Sequence, residues 1–190
     1  MILEGVVTTR SDDGSINVAP MGPIVDESMA WLKLRPFQSS LTFHNLRRQR
    51  CGVFHVVDDV LLLARAAIGR LTVPPPTEPA TMVDGAVLTD SCRWYEFEIV
   101  QIDESRERAE LEARVVHVGR IRDFFGFNRA KHAVLEAAIL STRLHLIPPE
   151  EIRAELTRLK IPVDKTAGPR EREAFQLLED YVEETLSELM

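Results

Sequence analysis

RPFQSSLTFHNLRRQRCGVFHV, residues 35–56, sets a polar interruption between two strand-like runs. The run before it, MAWLKL at 29–34, alternates: Met29, Trp31 and Lys33 on one face, Ala30, Leu32 and Leu34 on the other. That period of two marks a strand with at least one buried face. The run CGVFHVV at 51–57 is rich in β-branched and aromatic residues and predicts another strand. Between them Leu41, Phe43 and Leu46 are spaced for a short helix over 41–49, with Ser39 or Ser40 as its N-cap. Arg35, Ser39, Ser40 and Thr42 therefore gather at a predicted helix start. A helix N-terminus has unpaired N–H groups and partial positive charge, a guanidinium adds a bidentate donor, and hydroxyls add neutral donors. On these residues alone, both a serine cap beside a surface arginine and an anion site fit.

Upstream, ILEGVVTT (2–9), the turn SDDGS (11–15) and INVAPMGPIV (16–25) predict a β-hairpin. Pro20, Gly22 and Pro23 interrupt its second strand, and proline cannot donate to a ladder. That strand is expected to peel from its neighbour between Ala19 and Gly22, freeing backbone N–H groups for a ligand. Downstream, residues 58–71 predict a helix opened by Asp58 or Asp59 and closed near Gly69. The two adjacent acids fit a helix cap better than a catalytic carboxylate pair. VPPPTEP (73–79) is an extended connection, and strands are expected around Trp94–Ile99 and over 112–122. From about residue 123 the pattern becomes helical, with predicted helices over 127–147, from Pro148 onward, and over 168–189. The expectation is a mainly β unit with α-helix over 1–123 and a C-terminal helical subdomain over 124–190, packed on the first.

A chain of 190 residues with 45% hydrophobic and 28% charged residues can bury a core. Its net charge of −7, from 23 basic and 30 acidic residues, argues against nucleic acid as the main partner. Cys51 and Cys92 show neither disulfide nor zinc spacing, which points to a reduced, cytoplasmic setting. The N-terminus carries Glu4 and does not read as a signal peptide. No apolar run nears the roughly 20 residues that cross a bilayer, so no membrane association is expected. P-loop, dinucleotide, zincin and nucleophile-elbow motifs are absent. None of the five histidines stands at metal spacing with another, so no metal site is expected.

The order VVTTR, turn, INVAPMGPI, a strand ending in Arg35, then SSLTFHNLRRQRCGVFHV resembles the FMN-binding split barrels of the flavin-reductase-like and pyridoxamine-phosphate-oxidase-like superfamily. Asn17, Ala19 and Pro20 match the segment that runs along the isoalloxazine ring in flavin-reductase relatives. Arg35, Ser39, Ser40, Thr42 and Asn45 match the basic and hydroxyl residues, and the short helix, that hold the FMN phosphate. More closely, MILEGVVTT, NVAPMGPI, LRPFQSSLTFHNL, GVFHVVDDVLLLARAAIG and FGFNRAKHAVLEAAILSTRLHL are similar to the domain-of-unknown-function 447 family. The resemblance implies an FMN-binding split β-barrel with a C-terminal helical subdomain, FMN as cofactor, and a homodimer with FMN near the subunit interface. In that frame Met21 lines the flat slot, and Trp94 either joins it from one or the other subunit or sits in a core strand at the dimer interface. The broken strand around Met21 and Gly22 gives backbone groups to the ring edge. Asn128 and Arg129, at a predicted helix start, either touch the ligand or serve as cap and solvated cation. No second basic cluster for pyridoxal phosphate is present. The function implied is an oxidoreductase acting on a small substrate or acceptor, such as a pterin, with a nicotinamide as donor. A non-catalytic flavin carrier, or a dimeric scaffold without FMN, are the alternatives.

Overall fold

The hairpin at the N-terminus builds the sheet. Its arms are β1 (Gly5–Arg10) and β2 (Ile16–Met21), paired antiparallel from Arg10↔Ile16 to Gly5↔Met21. The structure, a computed structural model, describes residues 1–188. The other strands are β3 (Ile24–Val25), β4 (Trp31–Leu34), β5 (Cys51–Val56), β6 (Thr77–Pro79), β7 (Ala86–Leu88), β8 (Arg93–Asp103) and β9 (Glu110–Arg120). The helices are α1 (Leu41–Gln49), α2 (Val60–Ala67), α3 (Arg129–Ser141), α4 (Pro149–Thr166) and α5 (Pro169–Glu188). Among the described residues, seven strands form one sheet in the order β2-β1-β5-β8-β9-β4-β3, and β6 pairs with β7 separately.

The expected peeling of β2 does not occur: pairing holds through Pro20↔Val6 and Met21↔Gly5. β2 is the edge strand of its sheet. A proline there can turn its missing N–H to the open side, so no ladder bond is lost. After Met21 the chain breaks at Gly22–Pro23 and pairs again. Ile2 bridges Ile24, the Leu3 amide donates to the Pro23 carbonyl (3.1 Å), and the Val25 amide donates to the Met1 carbonyl (2.8 Å). The first residues of the chain thus meet β3 at the far end of the sheet and curl it into a barrel. Glycine is required at that crossing, since a Cβ on Gly22 would lie 2.8 Å from the Ile2 side chain and 2.9 Å from the Glu4 carboxylate. Register shifts interrupt the β8–β9 ladder at Glu96/Phe97 and Ile99/Gln101, the kind of irregularity that lets long strands bend.

Alternation turns Val7, Leu32, Leu34, Phe54, Phe97, Ile99, Leu111 and Ala113 inward, where they pack with Phe43 and Leu46 of α1. His55 of β5 is also fully buried. Its Nε2 accepts from the Leu88 amide (3.1 Å), so Nδ1 carries the proton and donates to the Val6 carbonyl (3.3 Å). Burial pushes its pKa down from 6.5 to about 4, opposed in part by the Val6 carbonyl. The unfolded chain takes up this proton first, so stability falls as pH drops from 6.5 towards 4. The expected loss is about 3 kcal/mol, taking 1.36 kcal/mol per pKa unit. Urea denaturation across the upper half of that window, before carboxylates protonate, checks it; a flat profile there refutes it.

By contacts the chain divides into two units: Met1–Val57 with Val73–Phe124, and Asp58–Thr72 with Phe125 onward. The second unit holds α2 as well as α3, α4 and α5. Asp59 caps α2, accepting from the Leu61 and Leu62 amides, and Asp58 accepts from the Phe125 amide (2.9 Å). The buried face of α3 is made of small residues, Ala130, Ala133, Val134, Ala137 and Ala138, which lets α2, α4 and α5 approach closely. Helix α3 stops at Ser141, short of the expected 147. There the Thr142 amide and hydroxyl both turn onto the Ile139 carbonyl, and the Arg143 amide donates to Leu140 (2.9 Å), a tightened final turn. Helix α4 continues through Pro162 to Thr166.

Candidate functional site

Helix α1 begins where the sequence predicted. The Ser40 hydroxyl accepts from the Phe43 amide (3.2 Å) and donates to the Phe37 carbonyl (2.7 Å), so Ser40 is the cap and its hydroxyl is spent. Ser39, one residue earlier, is exposed. Behind α1 lies a layer of polar side chains facing β1 and β2. The Asn17 amide donates to Thr9 Oγ1 (3.2 Å) and Thr42 Oγ1 (3.0 Å). The Asn45 amide donates to Thr9 Oγ1 (3.0 Å) and Ser11 Oγ (3.3 Å). Thr9, Thr42 and Asn45 are all buried. Asn45, matched above to the phosphate-holding helix, thus gives its amide inward to β1. Thr42 only accepts in this layer, so its own O–H proton is unspent.

Arg35 leaves the end of β4. Its Nε is buried and has no hydrogen-bond partner, alone in this respect among the described residues. Nearby Arg108 differs, for its guanidinium lies 4.2 Å over the Phe37 ring. An unsatisfied buried donor costs about 1–3 kcal/mol. Two donors, Arg35 Nε just after β4 and the Thr42 hydroxyl in the first turn of α1, are thus unspent, and their chemistry suits a phosphate oxygen.

The remaining barrel candidates lie on the β2 edge. By alternation Asn17, Ala19 and Met21 share one face, and Met21 packs against the core. As the edge strand, β2 has outward backbone groups without a ladder partner. Trp94 is half-buried and fixed in place. Its Nε1 donates to Glu96 (3.1 Å), and its ring occupies the space a Cβ on Gly119 would need, 2.0 Å away. Asn128 and Arg129 lie in the helical unit. Asn128 Oδ1 caps α3 by accepting from the Ala130 (2.9 Å) and Lys131 (3.1 Å) amides, and its Nδ2 donates to the Thr166 carbonyl (3.0 Å). Arg129 is exposed.

Sequence reasoning missed Thr9 and Ser11, whose signal was the hydroxyl-rich end of β1, TTRS. It also missed Glu96, which is fully buried and accepts from the amides of Thr81 (2.9 Å), Met82 (2.6 Å) and Val83 (3.2 Å) besides Trp94. Burial pushes its carboxyl up, but these four donors outweigh it and hold the pKa below the ordinary value of 4.5. Among the described residues no group of three or more His, Cys, Asp or Glu could hold a metal ion, and no helix is long and apolar enough to cross a membrane.

A curled antiparallel sheet with a short capped helix over its first hairpin defines the class: the chain has the FMN-binding split-barrel fold. It belongs to the family described as protein of unknown function (DUF447), matching that family's N-terminal domain over residues 3–122 and its second domain over 128–180. Its structure is similar to an FMN-bound protein of that family from Methanosarcina mazei, with 24% identity, a TM-score of 0.82, and coverage of 95% of this chain and 94% of the other. It also resembles an FMN-binding protein from Thermus thermophilus with bound 1-cyclohex-2-enone, at 15% identity and TM-score 0.52 over 63% of this chain and 70% of that one. A third likeness is the styrene monooxygenase flavin reductase of Pseudomonas putida S12, at 12% identity and TM-score 0.50 over 63% of this chain and 81% of that one.

Proposed function

We propose that the barrel unit binds FMN and that the protein is a flavin-dependent oxidoreductase acting on a small molecule. The observation that carries this is the unpartnered, buried Nε of Arg35, at the end of the strand that leads into α1, whose first turn holds the unspent hydroxyl of Thr42. Arg35, Thr42 and the exposed Ser39 hold the phosphate. Asn17 occupies the acceptor side of Thr42 and so leaves its proton for the ligand. The free edge of β2 from Ala19 to Met21, with Gly22 just beyond it, gives backbone groups to the ring, with Met21 and Pro20 as apolar neighbours. Bound FMN supplies the redox chemistry. The chain's part is to bind it, orient it and shape what reaches it, and no protein acid or base is required. Likeness to flavin reductases supports a nicotinamide as electron donor. The open β2 edge and the exposed Trp31 and Val100 on the outer face of the sheet support a homodimer that covers them.

The test is reconstitution with FMN, followed by anaerobic addition of NADH or NADPH. The expected result is an equimolar, yellow holoprotein whose visible flavin band bleaches, running as a dimer in light scattering. Failure to retain FMN sinks the flavin assignment. Retention without bleaching by either nucleotide sinks the nicotinamide donor and leaves a carrier.

A further inference from the structure

The groove between α3 and α4 lies wholly in the helical unit and plays no part in the flavin assignment. Its volume is about 490 Å³ and its walls are mostly apolar, with Leu159 and Pro162 of α4 facing Phe127 and the first turns of α3. Small-molecule sites span roughly 300–1,000 Å³. Phe127 stands at its rim, 94% exposed as a residue, with its ring 5.9 Å from the ring of His132. An aromatic ring so exposed beside an apolar groove marks a contact surface.

The polar residues of the groove give it direction. Arg129, His132 and Glu136 fall at i, i+3 and i+7, one stripe of α3. At about 1.5 Å of rise per residue, Arg129 and Glu136 stand roughly 10 Å apart along the helix. Neither side chain makes an ion pair or hydrogen bond with a described residue. The same unit does pair charges where they meet: Arg153 with Glu183 (2.9 Å) and Lys160 with Glu179 (3.0 Å). The groove also has fixed walls. The Thr166 hydroxyl accepts from the Ala130 amide (3.0 Å) and donates to the Pro162 carbonyl (2.8 Å), and Asn128 donates to the Thr166 carbonyl, tying the start of α3 to the end of α4. Those bonds occupy the first amides of α3, which leaves the Arg129 side chain as the anion contact.

We infer that this groove is a binding site for a flat aromatic molecule with an anionic group at one end and an N–H donor at the other. Arg129 takes the anion, the Phe127–His132 pair lines one side of the ring, and Glu136 accepts from the donor. The probe is an aminonaphthalene sulfonate with its two groups at opposite ends of the ring system, compared with the naphthalene sulfonate that lacks the amino group. Both are titrated calorimetrically into the full chain, and two-dimensional NMR locates the shifts. Both are expected to saturate, with shifts in α3 and α4. Arg129→Ala is expected to weaken both about tenfold or more, while Arg129→Lys recovers part of the loss. Glu136→Ala is expected to weaken only the amino-bearing probe. Arg129 is exposed and Asn128 keeps the cap, so these variants fold. The inference is overturned by no saturation at millimolar probe, by unchanged affinity in Arg129→Ala, or by an equal loss of both probes in Glu136→Ala.

Discussion

Arg35→Ala is expected to weaken FMN binding about tenfold to a hundredfold without destabilising the flavin-free protein. A hydrogen bond to a charged group contributes about 1.5–3 kcal/mol, and about 1.4 kcal/mol is a factor of ten. The second half of the expectation comes from the unpartnered Nε. In the flavin-free state that buried donor is a cost of about 1–3 kcal/mol, so its removal leaves stability unchanged or raised. An arginine kept for structure would behave the other way. Adding Thr42→Ala removes the second unspent donor and one acceptor of Asn17, and is expected to deepen the loss of affinity. Ser40→Ala is the contrasting variant. Its hydroxyl is committed to Phe37 and Phe43, so it should lose about 1 kcal/mol of stability with little change in FMN affinity. Fluorescence titration and urea denaturation of the same preparations separate the two effects. Unchanged FMN affinity in the Arg35→Ala/Thr42→Ala double variant would remove the phosphate assignment.

What was legible in the sequence was local. The cap at Ser40, the cap at Asp59 and the alternation of Trp31–Leu34 depend on residues within one turn or one strand, and each stands as expected. The behaviour of Pro20 was not legible, because it depends on which side of the hairpin β5 occupies. β5 pairs with β1, leaving β2 at the edge. The end of α3 was hidden for another reason. Leu144 and Leu146 prolong the apolar pattern, and nothing before Pro148 forbids a helix; the hydroxyls of Ser141 and Thr142 bend back onto carbonyls instead. Within the site, Arg35 and Thr42 could be found because they flank one helix start. Thr9 could not, because its partners arrive from β2 and α1. Glu96 and His55 sit in strands where alternation gives no sign of burial among polar partners. Their neighbours, Thr81–Val83 and Leu88, come from the segment between β5 and β8.

Glu96→Ala is expected to be among the most destabilising polar substitutions in the chain, at about 4 kcal/mol. The carboxylate holds four donors: Thr81 and Trp94 on one oxygen, Met82 and Val83 on the other. Without it, three backbone amides and an indole N–H lose their acceptor, and the 80–85 turn loses its tie to β8. Glu96→Gln keeps the shape but fails in either orientation, since its NH2 must face one of the two donor pairs; a loss of about 2–3 kcal/mol is expected. The pH dependence follows from the direction of the shift. Because the folded carboxyl titrates below its ordinary 4.5, the unfolded chain takes up the proton first. The stabilisation is therefore full at neutral pH and fades as pH falls through and below 4.5. The parent and the Gln variant should converge in acid, and hydrogen exchange at the Thr81, Met82 and Val83 amides should accelerate in the variant at neutral pH. A Gln variant as stable as the parent at neutral pH, with those amides still protected, would show that the charge on Glu96 does not hold the turn.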